Sequence, residues 1–139
     1  MNSSSVVLDA SVVIKWFRSR DETSLPSARK FRKDHLTGKI RISVPELIYY
    51  EVLNALATKP GIIATQLEKA AVLLEEIGLD RYPLRSRLAS ETIKFQVEFN
   101  LSLYDASYVA LASLLETDLV TADEQLVQRL HLPWVRLLR

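Results

Sequence analysis

The chain has 139 residues, 48% hydrophobic and 25% charged, with a formal net charge of +1. That length suits one domain, expected to span 1–139, which buries roughly two-thirds of the surface its unfolded chain exposes and so needs no disulfide or structural metal. Cysteine is absent, which excludes thiol catalysis, zinc ribbons, iron–sulfur clusters and a disulfide framework, and fits a reducing compartment.

Met1 to Ser5 is polar, and the apolar run that follows is interrupted by Asp9 and Lys15. Neither the h-region of a signal peptide nor a membrane span is present, so a cytoplasmic protein with no membrane association is expected. Val6-Val7-Leu8 reads as a buried strand, followed by a helix carrying Val12, Val13, Ile14, Trp16 and Phe17. Thr23 and Ser24 with Pro26 predict a helix start, and Ala28, Phe31, His35 and Leu36 keep helical spacing up to Gly38. Ile40 to Val44 alternates as a second strand, and Pro45 is expected at the first position of a helix running to about Thr58, before the Pro60-Gly61 break.

Thr65-Gln66-Leu67-Glu68 has the pattern of a capping box, ahead of an apolar stripe of Leu67, Ala70, Ala71, Leu74 and Ile77 that stops at Gly78. Tyr82-Pro83-Leu84 suggests a short third strand; Ala89, Ile93 and Val97 suggest a helix stopped by Asn100. Ser102 to Leu115 reads as a helix, Leu119-Val120-Thr121 as a strand, Glu124 to Leu130 as a short helix and Trp134 to Leu138 as a last strand. Alternating strands and helices predict a three-layer α/β domain, with a mostly parallel sheet of four to five short strands covered by helices.

Four acids stand beside apolar runs, where a carboxylate costs free energy unless paired, hydrogen-bonded or bound to a metal. Asp9 follows the first strand and Asp123 follows Leu119-Val120-Thr121. Asp105 lies three residues past Ser102, where a helix N-terminus favours negative charge. Glu51 sits mid-helix with no Lys or Arg three or four residues away. In a parallel sheet functional groups gather at the carboxyl ends of strands, so one rim is available to all four.

Hard oxygen ligands of this kind suit Mg²⁺ or Mn²⁺, one or two ions, and a bound ion that activates water and offsets phosphate charge supports phosphodiester hydrolysis. Without the ion the carboxylates repel, and at least one should have a raised pKa. Structural readings stand beside this one: Asp9 as a helix cap, Asp105 and Asp123 as first-turn acids, with Thr121-x-x-Glu124 resembling a second capping box. His35 and His131 have no partner motif and suit structural roles. Trp16, Tyr49, Tyr50, Tyr104 and Tyr108 can stack on bases, but their helical spacing suits core or dimer contacts.

Charge is uneven. Lys15 to Arg41 holds nine Lys and Arg against three acids, an excess of six positive charges that leaves the remainder at minus five. Such a lobe suits phosphate binding or, more often, a solvated helix face. An aspartyl-phosphate phosphatase fits poorly, because Ser11 occupies the place of its second Asp, and a phospho-receiver fits poorly because Asp80 precedes Tyr82.

Val7-Leu8-Asp9-Ala10-Ser11, Tyr50-Glu51-Val52-Leu53-Asn54-Ala55-Leu56, Leu103-Tyr104-Asp105-Ala106-Ser107-Tyr108-Val109-Ala110-Leu111-Ala112 and Leu119-Val120-Thr121-Ala122-Asp123 resemble, in order, the four acidic motifs of PIN-domain proteins. The VapC-like toxin group is the nearest in pattern, and the resemblance runs from Val6 to Trp134. It implies a metal-dependent endoribonuclease acting on RNA, commonly a homodimer and often held inactive by a small antitoxin encoded beside it. It makes Asp9, Glu51, Asp105 and Asp123 the catalytic, metal-binding acids, and Ser11, Asn54 and Thr121 their supporting or substrate contacts. Asp118 and Glu124 flank the last motif as alternative ligands, whereas Glu46, five residues before Glu51, lies about 140° round the helix. A non-catalytic RNA-binding or scaffold protein of the same fold is the competing expectation.

Overall fold

The structure is a computed structural model and describes residues 4–18 and 25–139. In chain order it comprises β1 (Ser4–Leu8), α1 (Ala10–Val13) continuing as a 3-10 turn over Ile14–Phe17, α2 (Leu25–Leu36), β2 (Ile40–Pro45), α3 (Ile48–Ala57) and α4 (Ala64–Ile77). Then follow β3 (Asp80–Tyr82), α5 (Ser86–Phe99), α6 (Leu103–Leu115), β4 (Asp118–Thr121), α7 (Glu124–Leu130) and β5 (Val135–Leu137). Thr23 and Ser24, expected to start α2, lie outside the described residues.

The five strands form one sheet in the order β3-β2-β1-β4-β5, every neighbouring pair parallel, as the alternating pattern predicts. Val7 and Leu8 are fully buried because β1 is the central strand and helices cover both faces, which is why no polar residue alternates there. α6 lies against β1, β2 and β4 and packs along α5, so every residue from Ala106 to Ala112 is buried. The chain leaves β1 toward β2 on one side and returns to β4 on the other, which makes the carboxyl ends of β1 and β4 the switch point of the sheet. Among the described residues no helix is long and apolar enough to cross a membrane.

Several boundaries differ from the sequence reading. Pro45 ends β2 instead of starting a helix: Glu46 N–H still donates to the Tyr82 carbonyl at 2.8 Å, and α3 begins at Ile48. The missing N–H of Pro45 falls where pairing with β1 has already stopped at Val7–Ser43. The expected box at Thr65 and Glu68 is displaced by two residues; Ile63 precedes α4 and donates its N–H to Gln66 Oε1 at 3.1 Å, leaving Thr65 inside the helix. β3 ends at Tyr82, because it pairs through Asp80 with Ser43 and Pro83 offers no donor to extend it.

In α5 the stripe Ala89, Ile93 and Val97 is not the buried one. Leu88, Thr92 and Phe95 face inward, while Ile93 and Val97 are exposed. A polar residue fits that face because the Thr92 hydroxyl donates to the Leu88 carbonyl at 2.6 Å, and Phe95 packs against Phe99 and Trp134. β5 is one residue shorter at each end than expected, although Leu138 N–H continues the pattern by donating to Thr121 O at 2.7 Å.

Elsewhere the readings hold. Gly78 and Asn100 close α4 and α5 in the left-handed conformation, at φ 70° and 54°. His35 is structural: Ile42 N–H donates to Nδ1 at 3.1 Å, which leaves Nε2 to donate to the Gly78 carbonyl, tying α2 to β2 and the end of α4. Trp16 is core, its indole N–H on the Ala28 carbonyl at 2.7 Å, and Tyr49 lies under the Arg81 guanidinium. Tyr50 and Tyr104 are exposed.

Candidate active site

Asp9 is placed by the step from β1 into α1. Its N–H donates to Val120 O at 3.3 Å, and its carboxylate caps α1 by accepting from Ser11 N–H at 3.1 Å. The structural reading of Asp9 as a cap is therefore correct, and it uses only part of the carboxylate. The Ser11 hydroxyl donates to Oδ1 and the Thr121 hydroxyl to Oδ2 at 2.6 Å. Those two hydroxyls stand 3.3 Å apart. Ser11 Oγ accepts from Ala122 N–H at 2.8 Å and Thr121 Oγ1 from Asp123 N–H at 3.0 Å, so β1 and β4 are laced together through the Asp9 carboxylate.

Glu51 reaches the same rim from α3. It is half-buried, and the hydroxyl of buried Tyr108 on α6 donates to its Oε1. Asp105 stands in the first turn of α6, whose N-cap Ser102 accepts from Asp105 N–H at 3.0 Å, as expected from the sequence. Asp123 is itself the N-cap of α7, its Oδ1 accepting from Gln125 and Leu126 N–H. This corrects the capping box read at Thr121 and Glu124: Thr121 is the last residue of β4 and turns its hydroxyl to Asp9.

The carboxylates act on one another. Burial is the main cause that pushes the Asp9 carboxyl up from 3.8 to about 6; the charge of Asp105 adds to it, and the hydrogen bonds from Ser11 and Thr121 oppose it. Burial likewise raises Glu51, with the Tyr108 hydroxyl opposing and Asp105 adding. Asp105 is raised by burial and then by Asp123, while Arg129 on α7 lowers it. Burial also raises the Tyr108 hydroxyl, followed by Glu51, Asp9 and Asp105. Asp105 thus raises both Asp9 and Glu51 and is itself raised by Asp123.

Among the described residues no group of three or more His, Cys, Asp or Glu stands close enough together to form a ready-made metal cage. The donor set nonetheless fits a hard divalent cation. It offers only oxygen, its members are half-buried or better except Asp123, and among the described residues no ion pair compensates the charge of Asp9 or Glu51. Mg²⁺ in particular takes one or two carboxylates and keeps several waters.

The other candidates divide. Asn54 is exposed one turn after Glu51. Asp118 is at the opposite end of β4, paired with Arg136 at 3.0 Å, and Glu124 is exposed in the first turn of α7. Sequence reasoning assigned Tyr108 to core or partner contacts and overlooked its bond to Glu51; its place one turn after Asp105 was the available signal. Arg129 carried no signal at all, because nothing local relates it to Asp105.

The PIN domain family profile matches residues 6–130. The chain is 38% identical over 89 residues to "VapC ribonuclease Mb0985" of Mycobacterium bovis, covering 62% of this chain and 68% of that one. With "Ribonuclease VapC1" of Mycobacterium tuberculosis it shares 33% identity over 106 residues, 70% of this chain and 77% of the relative. A solved structure titled "Toxin-antitoxin complex from Klebsiella pneumoniae" has the same fold, with a TM-score of 0.68 at 18% identity over 94% of each chain. A five-stranded parallel sheet in the order β3-β2-β1-β4-β5, matched by the family profile over residues 6–130, places this chain in the PIN domain family.

Proposed function

We propose that this chain is a divalent-metal-dependent endoribonuclease, a single PIN-like domain over 1–139 that serves as the toxin of a toxin–antitoxin pair. The reading is supported by the hydrogen bonds that set Asp9 between β1 and β4 and that tie Glu51 on α3 to Tyr108, one turn after Asp105 on α6. Relatives named as ribonucleases support the activity, and a fold shared with a titled toxin–antitoxin complex supports the setting. In this reading the protein works in the cytoplasm as a homodimer, and a small antitoxin encoded beside it holds it inactive.

Asp9, Glu51, Asp105 and Asp123 would hold one or two Mg²⁺ or Mn²⁺ ions. When bound, such an ion lowers the pKa of a coordinated water and offsets charge on the phosphate. The chain supplies the positioning: Ser11 and Thr121 fix both oxygens of Asp9, and Tyr108 fixes one oxygen of Glu51. Asn54, exposed one turn after Glu51, would contact the substrate strand.

The test is cleavage of structured RNA by the purified protein with Mn²⁺ or Mg²⁺ against the same reaction in chelator, alongside Asp9→Asn. Metal-dependent cleavage lost in Asp9→Asn is the expected outcome. Wild-type rates from Asp9→Asn would overturn the assignment, and RNA binding without any cleavage would favour the non-catalytic reading. Co-purification of the product of an adjacent small reading frame, with suppression of cleavage, tests the antitoxin.

A further inference from the structure

Carboxylates repel a polyanion, so an RNA strand that reaches these acids is held better where positive charge flanks them, in addition to any ion they hold. Arg129 stands at that place. It lies in the last turn of α7, the helix that Asp123 caps, and its charge acts on Asp105. Its Nη1 is 3.5 Å from the carbonyl oxygen of Asn100, at the long limit of a hydrogen bond. Asn100, left-handed at φ 54°, ends α5 two residues before Ser102, the cap that sets Asp105. The guanidinium is thereby docked on the turn that presents Asp105.

Docking of this kind differs from neutralisation. Arg129 is exposed, and among the described residues it forms no ion pair within 4.0 Å with Asp105, Asp123 or any other carboxylate. A guanidinium carries five N–H donors in a fixed fork, and one weak bond to a carbonyl leaves most of them available. That fork matches two oxygens of a phosphate.

We propose that Arg129 is a substrate-contacting residue, its guanidinium anchored on the Asn100 carbonyl beside Asp105 and binding a phosphate of the RNA strand that crosses the carboxylates. The inference rests on the nuclease reading and deepens it by naming a contact to the substrate backbone. The contact is independent of base identity, because phosphate carries no sequence information.

The experiment measures anisotropy of a labelled single-stranded RNA of mixed sequence, in the Asp9→Asn background so that the probe stays intact, with and without Arg129→Gln and Arg129→Lys. Arg129→Gln should bind about tenfold more weakly, with the slope of log affinity against log salt shallower by about 0.7, the loss of one single-strand phosphate contact. Arg129→Lys should keep that slope and recover part of the affinity. In the chain with Asp9 intact, Arg129→Gln should raise KM more than it lowers kcat, while calorimetric Mn²⁺ affinity does not fall.

Unchanged affinity and slope in Arg129→Gln would overturn the proposal. So would equal weakening in Arg129→Gln and Arg129→Lys without a change of slope, which would mean that the side chain acts only by bracing the Asn100 turn. If the wild-type protein cleaves no RNA under any metal condition, the nuclease reading fails separately, and the anisotropy series still decides whether Arg129 holds a nucleic-acid phosphate.

Discussion

The Thr121 hydroxyl, at the carboxyl end of β4, donates to Asp9 Oδ2 at 2.6 Å across 112 positions of chain. Thr121 Oγ1 in turn accepts from Asp123 N–H, so a single threonine sets both the acid that follows β1 and the backbone that presents the acid following β4. Thr121→Val keeps the shape but leaves Asp9 and the Asp123 N–H each short of a partner, at about 1–3 kcal/mol for a buried group. Because the lost bond is one that lowers the Asp9 pKa, the acid limb of the cleavage pH profile should move to higher pH. Ser11→Ala should move it the same way. A profile that stays in place in both variants would separate Asp9 from the reaction.

Asp9 also links stability to pH. Its folded pKa is raised from 3.8 to about 6, so between those values the folded state binds more protons than the unfolded state, and this group's contribution to stability falls as pH rises. Above that window the full penalty is present, about 3 kcal/mol at 1.36 kcal/mol per unit. Asp9→Asn carries no such charge. In chelator its stability relative to wild type should therefore grow from pH 4 to pH 7 and then level off, as read by denaturant melts. A constant offset across that range would contradict burial as the dominant cause.

Manganese should reverse that penalty. At about 100 times its Kd a ligand that binds only the folded state adds about 2.7 kcal/mol, so Mn²⁺ at pH 7.5 should raise the melting temperature of the wild-type chain and leave Asp9→Asn nearly unmoved. Equal responses would place any ion elsewhere.

Tyr108→Phe removes the donor to Glu51 with almost no change of volume. A stability loss of about 1–2 kcal/mol is expected. Since the hydroxyl lowers the Glu51 pKa, the variant should also need a higher pH for full activity. Chemical denaturation and a pH series on one preparation check both.

The two faces of α5 should respond oppositely. Phe95 is 9% exposed and packs on Phe99 and Trp134, whereas Val97 is 77% exposed. Phe95→Ala should cost about 3–5 kcal/mol, and Val97→Ala should stay within about 0.5 kcal/mol in the isolated chain. Comparable losses would mean that the stripe of Ala89, Ile93 and Val97 is covered in solution, and sedimentation would then show whether a second copy covers it.

What the sequence determined by itself is what depends on near neighbours in the chain. The alternation of Val6-Val7-Leu8 and Leu119-Val120-Thr121 with helical stretches dictates parallel strands, because such strands need a crossover and both faces covered. Ser102 before Asp105, and Asn100 and Gly78 at helix ends, are equally local, since caps answer to backbone groups within one turn. The four acids were legible for the same reason: each is out of place against its own apolar neighbours.

Tertiary structure alone decided which distant groups meet. Leu88-Thr92-Phe95 and Ala89-Ile93-Val97 are both helical stripes, and only the position of α6 and Trp134 selects the first. Pro45 reads as a helix start until β3 is known to extend the ladder past it. The bonds of Thr121 to Asp9 and of Tyr108 to Glu51, and the reach of Arg129 to the turn before Asp105, join residues far apart in sequence. No periodicity encodes such pairs, because closing a long loop is set by the packing of the whole sheet and not by the propensity of either end.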